Sequence, residues 1–413
     1  MIGALMAKIL KTQCCIAGGG PAGMMLGYLL GRAGVETVVL EKHSDFLRDF
    51  RGDTVHPSTL RILQQLGLLQ EFLKIPHSEI RALSIEIGKT RLKVADFGRL
   101  KPPGNFICLM PQWDFLDFLA AQGRRYPRLK ILMSTEVKML ISEAGRVVGV
   151  QAQGPEGPVE IRADLVVGCD GRSSTVRGAS GLEVHDLGSP IDVLWFRISK
   201  KATDPGEVLG HLEVDTMLVT IDRNDYWQCA YVIAKGGFAQ VKSAGLEAFR
   251  GSIVQGAPFL TDRVGEIGSF EDVKLLSVSV DRLTAWSKPG LLCIGDAAHA
   301  MSPVGGVGIN LAIQDAVAAA NLLAVKLKNS TVTDDDLDSV RRRRLMPVKA
   351  IQALQVAIQT RILKPVISGE MRRLPVPWPV KLLDSVPWLR RWPAQLLGVG
   401  LRPERVRSPV SSP

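Results

Sequence analysis

The sequence predicts an α/β fold in which βαβ material frames an inserted antiparallel sheet, with a helical segment closing the chain. Three observations carry this. An apolar run, a glycine cluster and a helical stretch follow one another near the N-terminus. Apolar residues recur with period two from Asp192 to Ala234. Two further buried strands end in Asp170-Gly171 and Gly295-Asp296, the second leading into a long helix.

Taken in order, Lys11–Ala17 reads as a strand, Ala22–Gly34 as a helix and the Val-rich Glu36–Glu41 as the next strand. Residues 57–73 read as one helix around Leu60, Ile62, Leu63 and Leu66. Leu83–Phe97 alternates as a hairpin turning at Gly88-Lys89, and Trp113–Gln122 is helical. Lys130–Gln153 reads as a strand pair turning at Glu143–Arg146, and Ile161–Gly168 as a buried strand. In the period-two region, turns fall near Asp215 and Asp222–Asp225. Ala244–Gln255 is helical, Val273–Val280 extended, Leu291–Ile294 a short strand, and helices run from Asn310 onward.

The chain has 413 residues, 46% hydrophobic and 22% charged, which suits two or three folded domains and excludes a disordered chain. Its six cysteines show no C-x-x-C spacing, which argues against a zinc site or a secreted disulfide scaffold and for a reducing, cytoplasmic setting; no metal is expected. Glycines break the run Cys14–Leu30, so it does not read as a signal peptide, and no stretch of 18 uninterrupted apolar residues predicts a membrane span. The net charge of +10 is uneven: residues 341–413 hold 15 Lys/Arg against three acids, leaving the rest near neutral. No nucleic-acid-binding module accompanies the basic tail. Its Arg residues mix with Trp378, Trp388 and Trp392, which fits peripheral contact with an anionic membrane or short helices packed on the body with their Arg heads in water. The run Arg341–Arg344, following Asp334-Asp335-Asp336, reads as a solvated, salt-bridged helix.

Gly18-x-Gly20-x-x-Gly23 sits between strand and helix, with Glu41 ending the next strand. The first glycine allows the tight turn, the second the close approach of a pyrophosphate and the third the packing of helix on strand. The helix N-terminus then faces the phosphates, and the acid reaches the ribose hydroxyls. This fingerprint alone does not separate one dinucleotide from another. The second motif is Asp170-Gly171-Arg172-Ser173-Ser174-Thr175-Val176-Arg177. The third is Gly295-Asp296-Ala297-Ala298-His299, then Pro303 and Gly305-Gly306-Val307-Gly308-Ile309-Asn310.

In this order and spacing the three motifs resemble those of flavin monooxygenases built on the p-hydroxybenzoate hydroxylase fold, over about residues 12–325. The resemblance implies a Rossmann-like FAD-binding domain, an antiparallel-sheet substrate domain and a C-terminal helical segment. The FAD-binding domain would comprise residues 1–80, 104–183 and 286–340, and the substrate domain 184–285, joined by the hairpin 81–103; 341–413 is the basic helical segment. It also implies that Gly18, Gly20, Gly23 and Glu41 hold the ADP half of FAD, that Pro21, Ala22, Lys42 and Val137 also bind the cofactor, and that Arg51 reaches the flavin's phosphate and ring side and Gln112 its phosphate or ribityl region. Asp170-Gly171 would serve FAD and nicotinamide, Gly295-Asp296 a ribityl hydroxyl, and Pro303 the isoalloxazine. Amides from Gly306 through Gly308 and Ile309 to Asn310 would face the ring's pyrimidine edge, where a helix N-terminus favours the anionic reduced flavin.

The implied reaction is hydroxylation of an aromatic, polyketide-like or lipophilic molecule with NAD(P)H and oxygen, through a C4a-hydroperoxyflavin. NAD(P)H would visit transiently, since only one complete dinucleotide fingerprint is present. No Trp-x-Trp-x-Ile-Pro halogenase signature occurs, and the prenyl-reductase stretch is replaced by Tyr226-Trp227-Gln228-Cys229-Ala230. A prenyl or alkene reductase remains the alternative. Arg197, His211, Trp227 and Tyr231 are candidate substrate residues because they fall in the sheet expected to floor the site; no catalytic side chain is assigned.

Overall fold

The computed structural model describes residues 8–47, 54–205, 208–369, 374 and 376–411. Its first sheet has eight strands. Leu129–Leu132, Thr37–Leu40, Lys8–Ala17, Gly157–Gly168 and Leu291–Cys293 run parallel in that spatial order, with Cys14 opposite Thr37 on one side and Leu165 on the other. Ser287–Lys288 closes one edge, and the hairpin Glu136–Glu143/Arg146–Gly154 pairs with the early half of Gly157–Gly168. Helices Pro21–Arg32, Gln112–Gly123 and Gly308–Lys328 pack on this sheet and on one another, which explains why its central strands are apolar on both faces.

The second sheet has seven strands in the order Lys274–Leu276, Ile191–Ser199, Tyr226–Ala234, Thr216–Asp222, Val208–Glu213, Ala82–Ile87 and Thr90–Asp96. All neighbours are antiparallel except Val208–Glu213 with Ala82–Ile87. Helix Leu246–Gly256 covers one face of this sheet; the other turns toward Val304 and the segment Gln359–Leu363. A small third sheet joins Thr54–Val55, Ile107–Leu109 and Ser78–Ile80.

Three elements differ from expectation. The helix read over 57–73 is two helices, Pro57–Gln65 and Leu69–Phe72, because Gly67 takes φ +73° between them. The strand read over 273–280 shortens to Lys274–Leu276. Arg344 is fully buried rather than solvated: it follows Val340 by one turn of Asp334–Ile358, on the stripe continued by Pro347, Val348 and Ile351. Its neighbours Arg341 and Arg342 do form the expected surface pairs with Asp338 and Asp335. Val304–Lys328 is long and apolar enough to cross a membrane, but 78% of its most apolar 18-residue stretch is buried inside the protein as a core helix.

Candidate active site

The three motifs meet. A Cβ on Gly18, whose φ is +102°, would lie 2.5 Å from Cys169 O beside Asp170, so the first turn sits directly on the second. A Cβ on Gly295 would lie 3.2 Å from Ala22 Cβ, which brings the third motif to the first. Arg172 closes the triangle, its Nε donating to Asp296 Oδ2 at 3.1 Å and its Nη2 to Met301 O at 3.2 Å.

At the first corner, Gly20 precedes Pro21 at the start of Pro21–Arg32, and no side chain caps that helix. A Cβ on Gly23 would fall 1.9 Å from Gly18 O, so packing alone forbids any larger residue there. Gly20 is different: a Cβ on it would meet no protein atom within 4 Å. Glu41 is buried at the end of Thr37–Leu40, where its two carboxylate oxygens accept from Gly19 N and His43 N, each at 3.0 Å. Lys42 beside it is exposed. Val137 is buried two residues after Thr135, whose amide donates to Glu41 O at 2.8 Å. Gln112 opens its helix half-buried, and Arg51 lies outside the described residues.

At the second corner the Asp170 carboxylate is committed to structure. It accepts from Ser174 Oγ at 2.5 Å and from Val176 N at 3.1 Å, and burial raises its pKa above the usual carboxylate range. Gly171, at φ +84°, leaves open space beside it. At the third corner Gly295 N donates to Asp315 Oδ2 at 3.1 Å, and Pro303 leads the tight turn Val304–Gly306. Gly308–Lys328 then begins with no side-chain cap, and a Cβ on Gly308 would lie 4.0 Å from Asp296 Oδ1.

Sequence reasoning named Asn310 but missed the side chains that hold it and the rest of this corner. Asn310 Oδ1 accepts from His56 N at 3.2 Å and from Thr59 Oγ1 at 2.9 Å, and Thr54 Oγ1 donates to Gly306 O at 3.0 Å. His56 is buried, and burial pushes its pKa down to about 4 although its Nδ1 meets Leu397 O at 3.0 Å. Gln352, Gln355 and Gln359, at helical spacing, hold the loop 300–304: Gln355 Nε2 donates to Ser302 O and Val304 O, each at 2.9 Å. Gln352 Nε2 donates to Ala300 O at 3.1 Å and Gln359 Nε2 to Ser302 Oγ at 2.5 Å. Beneath them Asp315, fully buried, joins His299 Nε2 at 2.5 Å and Arg344 Nε at 2.9 Å; burial opposes its charge, but His299 and Arg344 hold its pKa below the usual range.

Three of the four candidate substrate residues lie on the face of the second sheet away from Val304. His211, Trp227 and Tyr231 point to the face under Leu246–Gly256 and are spent on packing. His211 bridges Glu86 Oε2 and Thr220 Oγ1, both at 3.0 Å, while Trp227 Nε1 donates to Asp204 Oδ2 at 2.8 Å. Strand alternation puts Val193, Trp195 and Arg197 on the opposite face, with Gln228, Ala230 and Val232 of the neighbouring strand. Only Arg197 of the four is on the side toward Val304, and it is exposed.

Residues 11–354 match the family described as FAD binding domain. The chain belongs to this family. It is 33% identical to 6-methylpretetramide 4-monooxygenase of Streptomyces rimosus, over 85% of this chain and 84% of that one. It is 26% identical to para-nitrophenol 4-monooxygenase of Pseudomonas sp. strain WBC-3, over 79% and 82% of the two chains. Its fold superposes on a p-nitrophenol 4-monooxygenase of Pseudomonas putida with TM-score 0.72 at 21% identity, covering 94% of this chain and 97% of that one. A probable FAD-dependent monooxygenase from Pseudomonas aeruginosa gives 0.73 at 20% identity, with 87% and 98% covered.

The protein is therefore an FAD-dependent monooxygenase of the p-hydroxybenzoate hydroxylase fold, with NAD(P)H as reductant, and the alternative of a prenyl or alkene reductase is set aside. The residues present fit FAD. The space over Gly20 is one that folding does not require, and the helices beginning at Pro21 and Gly308 carry no side-chain cap. Arg172 Nη1, Asn310 Nδ2 and His56 Nε2 are buried without a protein partner. Among the described residues no three His, Cys, Asp or Glu side chains gather as metal ligands.

Proposed function

We propose that this monooxygenase hydroxylates a flat aromatic or polyketide-like ring held between the Val304 loop and the Arg197 face of the second sheet. One observation carries the reading: that face is apolar through Val193, Trp195, Met217, Val219, Ala230 and Val232, and Arg197 on the same face is exposed. An apolar floor with one cation suits a ring bearing a carboxylate or an acidic phenol oxygen. The small aromatic substrate named for para-nitrophenol 4-monooxygenase has that chemistry and supports the class.

When bound, FAD supplies hydride acceptance from NAD(P)H and activation of oxygen. In this reading Gly18, Gly20, Pro21, Ala22 and Gly23 leave room for the pyrophosphate, and Glu41 takes the ribose. Lys42, Val137 and Gln112 flank the nucleotide, and Asp296 meets the ribityl chain. The amides at Gly306, Gly308, Ile309 and Asn310 stabilise negative charge on the pyrimidine edge. Asp170 and Gly171 shape the nicotinamide approach through the turn they cap. Six buried, unpaired cysteines suit the reducing cytoplasm, where we place the reaction.

The test is NAD(P)H consumption with phenols, quinones, aromatic polyketides and prenyl lipids, with peroxide followed in parallel and the product weighed after reaction in ¹⁸O₂. Consumption stimulated by an aromatic acid or phenol, with one labelled oxygen in the product and little peroxide, is expected. Stimulation by prenyl lipids alone, or a product without label, would overturn the reading.

A further inference from the structure

The C-terminal segment turns a row of indoles to solvent. In Trp378–Ser385 the exposed positions Trp378, Lys381, Leu382 and Ser385 fall at helical spacing on one face. Trp388 and Trp392 follow on the next turns, and the three indoles are 75%, 59% and 62% exposed. Arg391 is exposed beside Trp392, as are Leu401 and Arg402 beyond the last helix.

The inner side of the same segment is firmly seated. Leu374, Val376 and Val380 pack on the cluster of Ile87, Leu92 and Leu212, and Asp384 Oδ1 accepts from Lys93 N at 2.9 Å, covering the edge strand Thr90–Asp96. Ala394 and Val399 pack on Phe97, Ile107 and Leu109. The tryptophans are thus held outward by a fixed scaffold.

We propose that this outer face docks the protein on a membrane surface containing anionic lipid. Tryptophan favours the headgroup level of a bilayer, and short amphipathic helices with basic residues lie in that plane. The charge selects the partner. On this face Lys381, Arg391 and Arg402 are exposed while Asp384 is half-buried against Lys93 N, so the charge beside the indoles is positive and attracts an anionic surface. Each Lys or Arg brought to such a surface strengthens partitioning about fivefold. A second copy presenting the same face would oppose Lys381 and Arg391 with like charges.

The test uses full-length, FAD-loaded protein sedimented with phosphatidylcholine vesicles with and without phosphatidylglycerol. Binding only where phosphatidylglycerol is present, weakened by added salt, is expected. The triple variant Trp378→Ser, Trp388→Ser, Trp392→Ser should bind about tenfold or more weakly, with flavin absorbance and melting temperature unchanged. The wild type carries a second reading that needs no variant: its tryptophan emission should shift to the blue and be quenched by brominated lipid. No binding to phosphatidylglycerol vesicles, binding equal in the triple variant, or emission unmoved by lipid would overturn the proposal. Self-association that the triple variant loses, without vesicle binding, would also overturn it and assign the face to a second copy.

Discussion

Arg172 and Asp296, 124 residues apart, form an ion pair at 3.1 Å that ties the Asp-Gly turn of one strand to the Gly-Asp turn of another. Both side chains are about 30% exposed, so the pair lies at the surface rather than in the core. In the proposed complex Asp296 also meets the ribityl chain. Asp296→Ala should therefore weaken FAD binding about 10- to 100-fold, the worth of one charge-assisted hydrogen bond. Glu183→Ala, on an exposed turn, should leave it unchanged. Fluorescence titration of apoprotein with FAD checks both.

His56 makes stability depend on pH. Burial lowers its pKa from 6.5 to about 4, so the unfolded chain takes up a proton at a pH where the folded one does not. Its contribution is complete above pH 6.5 and is lost as pH falls toward 4, by about 3 kcal/mol in all. Denaturant unfolding across this window should show a shallower pH dependence for His56→Gln than for the wild type. Parallel curves would contradict the assignment.

Arg344 and Arg342 lie two residues apart on one helix and should differ sharply. Arg344→Met leaves the fully buried Asp315 with only His299 and Gly295 N as partners and should cost about 3–5 kcal/mol. Arg342 pairs with Asp335 in solvent, and Arg342→Ala should cost less than about 1 kcal/mol. Thermal and urea unfolding of the two variants decide it.

The two faces of the substrate sheet predict opposite phenotypes. Arg197→Ala should raise KM for an acidic aromatic substrate about tenfold, the value of one ion-paired contact, with melting temperature unchanged. Trp227→Leu removes the indole bond to Asp204 and should lower the melting temperature by several degrees while leaving KM alone. Steady-state kinetics beside thermal melts separate the two.

Much of the cofactor side was legible because glycine and acid spacing leaves few conformations open. Gly18 and Gly23 are fixed by backbone contacts that any side chain would violate, and such positions announce themselves in a sequence. The substrate sheet was not legible to the same degree. Both of its faces are covered, so strand alternation gave the strands but not the side on which Trp227 and Tyr231 would fall. Arg344 was hidden in a run of like residues, although its place on the stripe of Val340, Pro347, Val348 and Ile351 was a readable signal. The glutamine row Gln352, Gln355 and Gln359 carries no composition signature, and its role emerges only when the 300–304 loop lies beside it.

The proposed FAD site is tested most directly at Gly20, because a methyl group there touches nothing in the protein yet in the proposed complex would stand in the path of the pyrophosphate. Equilibrium FAD binding to Gly20→Ala apoprotein should be about 10- to 100-fold weaker than to the wild type, the cost of overpacking, with circular dichroism and melting temperature of the apoprotein unaltered. A Gly20→Ala protein that binds FAD as tightly as the wild type would contradict the account.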